Sequence, residues 1–301
     1  PDGTVVFSNF SDQRLYVLRP GQEPQPLTPA GPLFYADQRI DASRKRVICV
    51  QEDHSQAGEV KNSLVSISLQ DGADRLTLAE GNDFYASPAL SPDGKSLAWL
   101  TWNHPNMPWD GTRLKLAALE TGKLPSVKST QIVAGDEDTV IFQPEFSPDG
   151  NWLSYITRAG NWDALVLVNL KNLDKQVIYQ PDQAQLMEPA WVQGVRTYAW
   201  SNDSQSIYFL QNQTGYNTLC QLEIHSGETT KINTGEYTSL RQISVSNKGE
   251  IALIASCATI PARVIVGNGK SWRIMARSTA ENIPAAYLSS PQAISWQSDE
   301  G

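Results

Sequence analysis

Short apolar runs of four to seven residues recur along the chain, each preceded by a tight polar corner. Leu97-Ala98-Trp99-Leu100 follows Ser91-Pro92-Asp93-Gly94, and Trp152-Leu153-Ser154-Tyr155-Ile156 follows Ser147-Pro148-Asp149-Gly150. Proline sets φ at the first corner of a turn, aspartate accepts hydrogen bonds from the turn backbone, and glycine takes the φ > 0 position. Weaker copies precede apolar runs at Pro1-Asp2-Gly3, Asp41-Ala42-Ser43-Arg44, Ser201-Asn202-Asp203-Ser204 and Ser246-Asn247-Lys248-Gly249. From Asp41 the corners start at positions 41, 91, 147, 201 and 246, so the gaps are 50, 56, 54 and 45 residues.

Within each period the pattern predicts four short strands and no helix. The second unit reads Leu33–Ile40, Val47–Gln51, Leu64–Leu69 and Arg75–Leu78, and three further units repeat this plan from Phe84, Val140 and Ala190. A last unit runs from Ser239 to about Arg277, and residues 1–28 offer only three strands. In the third strand of the second unit Ser66, Ser68 and Gln70 alternate with Val65, Ile67 and Leu69, the period of a half-buried strand. The second strands are instead continuously apolar, which fits burial on both faces. A repeat of about 40–50 residues with four strands per unit predicts an all-β propeller of four-stranded antiparallel blades. The expectation is five complete blades plus a partial first one over 1–284, with 285–301 as an exit linker. If the first unit is incomplete, 285–297 could instead fold back as its inner strand.

Strand order then sorts the loops. The Ser-Pro-Asp-Gly corners share one face, and the second-to-third-strand loops share the other. Those loops, Glu52 to Ser63, Asn103 to Thr112, Arg158 to Asp163 and Asn212 to Asn217, are expected to be long and varied, and loop variety on a rigid scaffold is where binding resides.

Composition narrows the chemistry. Net charge is −8, and the 24 Lys and Arg are scattered, which argues against nucleic acid and anionic membrane as partners. No apolar run is long enough to span a bilayer. Cys49, Cys220 and Cys257 lie in apolar runs without framework spacing, as buried free thiols of a reducing, cytoplasmic compartment would. There is no Gly-x-Ser-x-Gly elbow, P-loop, Cys-x-x-Cys or His-Glu-x-x-His, so no catalytic residue, metal or cofactor is assigned.

The most unusual stretch is Trp102-Asn103-His104-Pro105-Asn106-Met107-Pro108-Trp109-Asp110-Gly111-Thr112, where two prolines stiffen a loop rich in aromatic area. It either contacts a ligand or partner domain, or folds on itself over its blade. His54 and His104 occupy equivalent loops of adjacent units; solvated loop histidines are the plainer reading than a metal site. Arg158 and Trp162 could hold a carboxylate or peptide backbone, or cover a blade edge. Glu145 and Glu188, on or just before inner strands, could meet a peptide amino terminus or be solvated charges. Trp102, His104, Asn106, Trp109, Asp110, Arg158, Trp162, Glu145 and Glu188 are the candidates for substrate gating or a domain interface.

The paired corners, the Trp102–Gly111 stretch and Trp191-Val192-Gln193-Gly194 with Thr197-Tyr198-Ala199 resemble the propeller of prolyl oligopeptidase-family serine peptidases, in the acylaminoacyl peptidase and dipeptidyl aminopeptidase branch. So do Thr4 to Tyr16 and Ser290 to Trp296. TolB-type propellers share the corner turns; the histidine-proline loop is more specific. The resemblance implies a seven-bladed propeller that caps an α/β-hydrolase domain of the same polypeptide and admits only short or unfolded peptides. Relative to that pattern the chain is expected to start after a first blade and to stop where the hydrolase domain begins. A stand-alone TolB-type scaffold is the alternative, a catalytic propeller fits least, and a homo-oligomer stays open.

Overall fold

A computed structural model describes residues 3–120, 122, 124–280, 283–292, 294 and 296–297. It is an all-β propeller of six antiparallel blades. The first blade comprises β1 (Val5–Ser8), β2 (Leu15–Leu18) and β3 (Gln25–Pro26). The second comprises β4 (Leu33–Asp41), β5 (Arg46–Asp53), β6 (Lys61–Ser68) and β7 (Arg75–Ala79), and the third β8 (Phe84–Leu90), β9 (Ser96–Trp102), β10 (Arg113–Leu119) and β11 (Val127–Ala134). The fourth has β12 (Ile141–Phe146), β13 (Trp152–Ala159), β14 (Trp162–Asn169) and β15 (Lys175–Tyr179). The fifth has β16 (Tyr198–Trp200), β17 (Ser206–Gln213), β18 (Tyr216–Glu223) and β19 (Thr229–Ile232), and the sixth β20 (Ser239–Val245), β21 (Ile251–Cys257), β22 (Ile260–Gly267) and β23 (Trp272–Arg277).

The blade count corrects the expectation of five blades plus a fragment. β1–β3 form a three-stranded sheet that packs as a blade, burying Leu15 with Tyr35, Val47 and Val65 of the second blade. Among the described residues of 285–297 there is a 3-10 turn, Ala285–Tyr287, and no strand. The corner at Pro1-Asp2, the outer turn at Thr121 and part of the exit segment (Ala293, Ser295 and 298–301) lie outside the described residues.

Two compact units divide the chain within the fourth blade: Pro1–Ala159 with Leu165–Val177 and Pro189–Val195, and Gly160–Ala164 with Ile178–Glu188 and Arg196–Gly301. In the first unit the continuous apolar second strands serve two cores at once. Val47 and Cys49 of β5 join the cluster with Leu15, whereas Ile48 and Val50 join Tyr85, Leu97 and Trp99. β9 does the same, sending Leu97 and Trp99 one way and Ala98 and Leu100 toward Ile141 and Leu153. Period-two side chains on a strand covered on both faces produce this split. In the second unit Leu210, Leu219, Leu240, Leu253 and Ile265 form the corresponding core.

β6 departs from its half-buried pattern. Ser66 is fully buried, its hydroxyl accepting from Arg46 Nε at 2.9 Å while Arg46 Nη1 pairs with Asp74 at 2.7 Å. A buried arginine from the neighbouring strand satisfies what the alternation offered to water.

The corners are built alike. In the Ser147 corner the Ser147 hydroxyl donates to Asp149 Oδ1 (2.5 Å) and accepts from Trp152 N (3.0 Å), while Asn151 N donates to Asp149 Oδ1 (3.0 Å). The same three bonds recur at Ser91 (2.7, 2.8 and 3.0 Å) and at Ser201 (2.6, 2.8 and 3.0 Å). Ser204, at φ 61°, replaces the glycine of the other two corners.

A second repeat was invisible in the residue types. Four residues before the corners at Asp41, Ser91, Ser147 and Ser246, the inner strand bulges at Asp37, Ser87, Gln143 and Gln242, each with φ between 47° and 54°. In the second blade the residues at the bulge tie blades together. Asp37 Oδ2 accepts from Ser87 N at 2.9 Å, and Arg39 donates to Pro88 O at 2.9 Å and to Glu145 Oε1 at 2.5 Å. The bulge re-aims a side chain from within the strand, a common use of this irregularity.

Candidate functional site

The second-to-third-strand connections are less uniform than the sequence implied. β13–β14 and β17–β18 are joined by two residues only, Gly160-Asn161 and Thr214-Gly215. The positive φ of Gly160 (70°), and of Thr214 and Gly215 together (54° and 86°), gives the mirror-image turns that match strand twist. The expected long loops at Arg158–Asp163 and Asn212–Asn217 are therefore tight hairpins. Residues 54–60 and 103–112 remain as true loops, both in the first unit.

The 103–112 loop uses its polar groups to fix itself. Asn103 Oδ1 accepts from Asp83 N (2.9 Å) and Asn82 Nδ2 (3.1 Å), and His104 N donates to Asp83 Oδ2 (2.9 Å). The His104–Pro105 peptide is cis. Asn106 Nδ2 donates to Glu137 O (2.6 Å), and Asp110 Oδ2 accepts from Met107 N (2.8 Å). Gly111 lies so close to the Glu137 carbonyl that a Cβ there would sit 1.9 Å from its oxygen, which explains the glycine at this end of the loop. Thr112 closes the loop, its hydroxyl exchanging bonds with Ile141 O (3.1 Å) and N (2.8 Å).

With the polar atoms engaged, the aromatic ones are left for contact. Trp102 stacks on Phe84 at 5.2 Å, and the His104 ring meets the same phenylalanine edge-on at 4.9 Å. His54 sits likewise on Phe34 at 4.2 Å, so each loop histidine seats on the inner strand of its own blade. Trp109 packs on Trp191 with ring centroids 4.5 Å apart, and Gln193 Nε2 donates to Tyr85 O at 3.0 Å. The two most distinctive stretches of the sequence thus meet, although 82 positions separate these tryptophans. Around this pair Trp191 is 74% exposed, Val192 67% and Met107 47%. This is an apolar patch on a polar-braced base.

The remaining candidates are dispersed. Glu145 is half-buried and carries the Arg39 ion pair. Arg158 is exposed near the end of β13, and Trp162, half-buried, begins β14. Glu188 is half-buried in the second unit, just after Leu186 and Met187, whose backbone N–H groups donate to the buried Asp163 carboxylate at 2.7 and 3.1 Å. Arg39, Trp191 and Phe10 were missed as candidates. Arg39 carries no motif, and exposure, the signal at Phe10, is a property of the folded chain.

Two hollows adjoin the loop. One of about 190 Å³ lies at its base, lined by Thr101, His104, Asn106, Arg113 and Glu137, with Arg113 and Glu137 ion-paired. The other, about 510 Å³, lies against the outer strands of blade two and the 80–83 connection and brings Asp53, Lys61, Arg75, Glu80 and Asp83 together. Burial pushes the Cys49 thiol well up and that of Cys220 up to about 11, which makes both poor nucleophiles.

The family model for the TolB beta propeller domain matches residues 41–294. No curated protein sequence matches the chain. Among solved structures the chain is similar to a puromycin hydrolase, at 28% identity and a TM-score of 0.88 over 99% of this chain and 47% of that one. It is also similar to a puromycin-hydrolyzing peptidase of Mycobacterium tuberculosis, at 30% identity and a TM-score of 0.86 over 96% of this chain and 46% of that one. A structure from a study of two prolyl endopeptidases shares the fold, at 16% identity and a TM-score of 0.63 over 92% and 42%. The chain spans about half the length of these solved chains. It belongs to the TolB beta propeller domain family.

Proposed function

We propose that this propeller is the non-catalytic, substrate-selecting domain of a prolyl oligopeptidase-like serine peptidase of the acylaminoacyl or dipeptidyl aminopeptidase branch. In this reading it works with an α/β-hydrolase domain of the same polypeptide and acts as a steric filter for short peptides and peptide-like amides. The observation that carries it is the apolar patch of exposed Met107, Trp191 and Val192 around the half-buried Trp109, beside a loop braced by its own hydrogen bonds. Aromatic area held rigidly at the surface is characteristic of contact sites. The similarity to puromycin-hydrolysing peptidases over nearly the whole chain supports the same reading. The free thiols at Cys49, Cys220 and Cys257 support a cytoplasmic setting.

The test is Trp109→Ala in the full-length protein, comparing hydrolysis of a tripeptide amide with that of an unfolded 30-residue peptide. The expected result is a change in size discrimination of about tenfold, equivalent to 1.4 kcal/mol. Unchanged discrimination together with unchanged interdomain protection would overturn the gating role. A second reading, a stand-alone binding scaffold, is favoured by the TolB match itself. It requires a full-length protein that does not react with a serine-directed fluorophosphonate.

A further inference from the structure

Phe10 is 92% exposed, more than any other large hydrophobic residue described. A single exposed apolar side chain is ordinary, but this one stands on an unusually fixed support. It lies in the turn between β1 and β2, which the backbone closes through Asn9 N to Arg14 O (2.9 Å) and Gln13 N to Asn9 O (2.8 Å). Side chains add the rest. Asn9 Nδ2 donates to Ser11 Oγ and Asp12 Oδ1, both at 2.9 Å, and Gln13 Nε2 donates to the carbonyl of Phe10 itself at 2.7 Å. Tyr16 Oη donates to Asp12 Oδ2 at 2.8 Å, and Arg14 Nε to Thr28 O at 2.6 Å. Gln13 holds φ at 59°, a conformation costly for glutamine. The turn is thus ordered before any partner arrives, and the entropy of fixing the ring's backbone is already spent.

Strand order places this turn. β3 leads to β4 as β7 leads to β8, so β1 and β2 stand where β5 and β6, or β9 and β10, stand in the next blades. The Phe10 turn therefore leaves its sheet at the same end as the 103–112 loop, the end that also exposes Met107 and carries the half-buried Trp109. We infer that Phe10 is a preformed anchor that inserts into an apolar pocket on the catalytic domain, a contact separate from the Trp109–Trp191 patch. This rests on the function proposed above. The occupant is chosen because this end already carries that proposed interface, and because the peptidases it resembles have about half their length outside the matched region.

The test uses the full-length protein with Cys257→Ser as background and compares maleimide labelling of Phe10→Cys with that of Lys171→Cys. Lys171 is an exposed residue in the β14–β15 turn, at the opposite end of its sheet. The expected result is labelling at position 10 at least tenfold slower than at 171, independent of protein concentration, with equal rates in denaturant. Equal rates in a native protein that reacts with fluorophosphonate would overturn the anchor while leaving the peptidase reading intact. Protection that rises with protein concentration would assign the pocket to a second copy, and protection only on adding peptide would assign it to substrate; either overturns the inference. A full-length protein without fluorophosphonate reactivity would remove the peptidase reading itself, and the anchor with it. Circular dichroism of Phe10→Ser, expected to match the parent, checks that the turn folds without the ring.

Discussion

Replacing Ser147 with alanine removes the keystone of the fourth-blade corner. Its hydroxyl is fully buried, donates to Asp149 and accepts from Trp152 N. Two hydrogen bonds at about 1 kcal/mol each are lost, and Trp152 N–H is left without its partner in a half-buried setting, so the cost is about 2–3 kcal/mol. Ser246 provides the internal control. Its hydroxyl also accepts from two backbone groups, Lys248 N at 3.3 Å and Glu250 N at 3.1 Å, but the residue is exposed and its corner lacks the aspartate. Water replaces those bonds, so Ser246→Ala costs below about 1 kcal/mol. Urea unfolding followed by tryptophan fluorescence and by far-ultraviolet circular dichroism measures both. The two corners lie in different compact units. Equal costs for the two substitutions, or a Ser147→Ala cost under about 0.5 kcal/mol, would refute the view that the recurrent serine–aspartate pair clamps these turns.

Acid stability follows from the same corners. Backbone bonds from Lys95 and the Ser91 hydroxyl hold Asp93 below the usual carboxylate value, and the Ser201 hydroxyl with Gln205 N does so for Asp203. At Asp149 burial pushes upward, and bonds from Ser147 and Asn151 outweigh it. A lowered folded-state value means the unfolded chain binds the proton first, so this stability is full above the ordinary value of 3.8 and is lost as pH falls below it. The triple variant Asp93→Asn, Asp149→Asn, Asp203→Asn is expected to flatten the fall in thermal midpoint below pH 4; an unchanged acid limb would count against these bonds. Thr101 is fully buried, and its hydroxyl has no hydrogen-bond partner among the described residues. Thr101→Val should be neutral or stabilising by up to about 1 kcal/mol in urea unfolding, and a loss above that would reveal a partner in the hollow beneath the loop.

Much of the architecture was legible because it is local. A Ser-Pro-Asp-Gly corner folds from bonds within six residues, and a continuous apolar run such as Val47–Val50 declares burial on both faces whatever packs there. Those two signals determined strand order, blade length and which connections share an end. The tight hairpins at Gly160 and Thr214 were misread because hydrophobicity fades at strand ends while backbone pairing continues, so polar residues such as Arg158 and Gln213 extend their strands. Tertiary structure alone decided the rest. The bulge at Asp37, Ser87, Gln143 and Gln242 is a backbone event that different side chains tolerate, so no residue type announces it. Arg39 reaches Glu145 across 106 positions, and Trp109 meets Trp191 across 82. Pairings over such distances depend on how blades stack, and exposure, the property that singles out Phe10 and Trp191, exists only once the neighbours are in place.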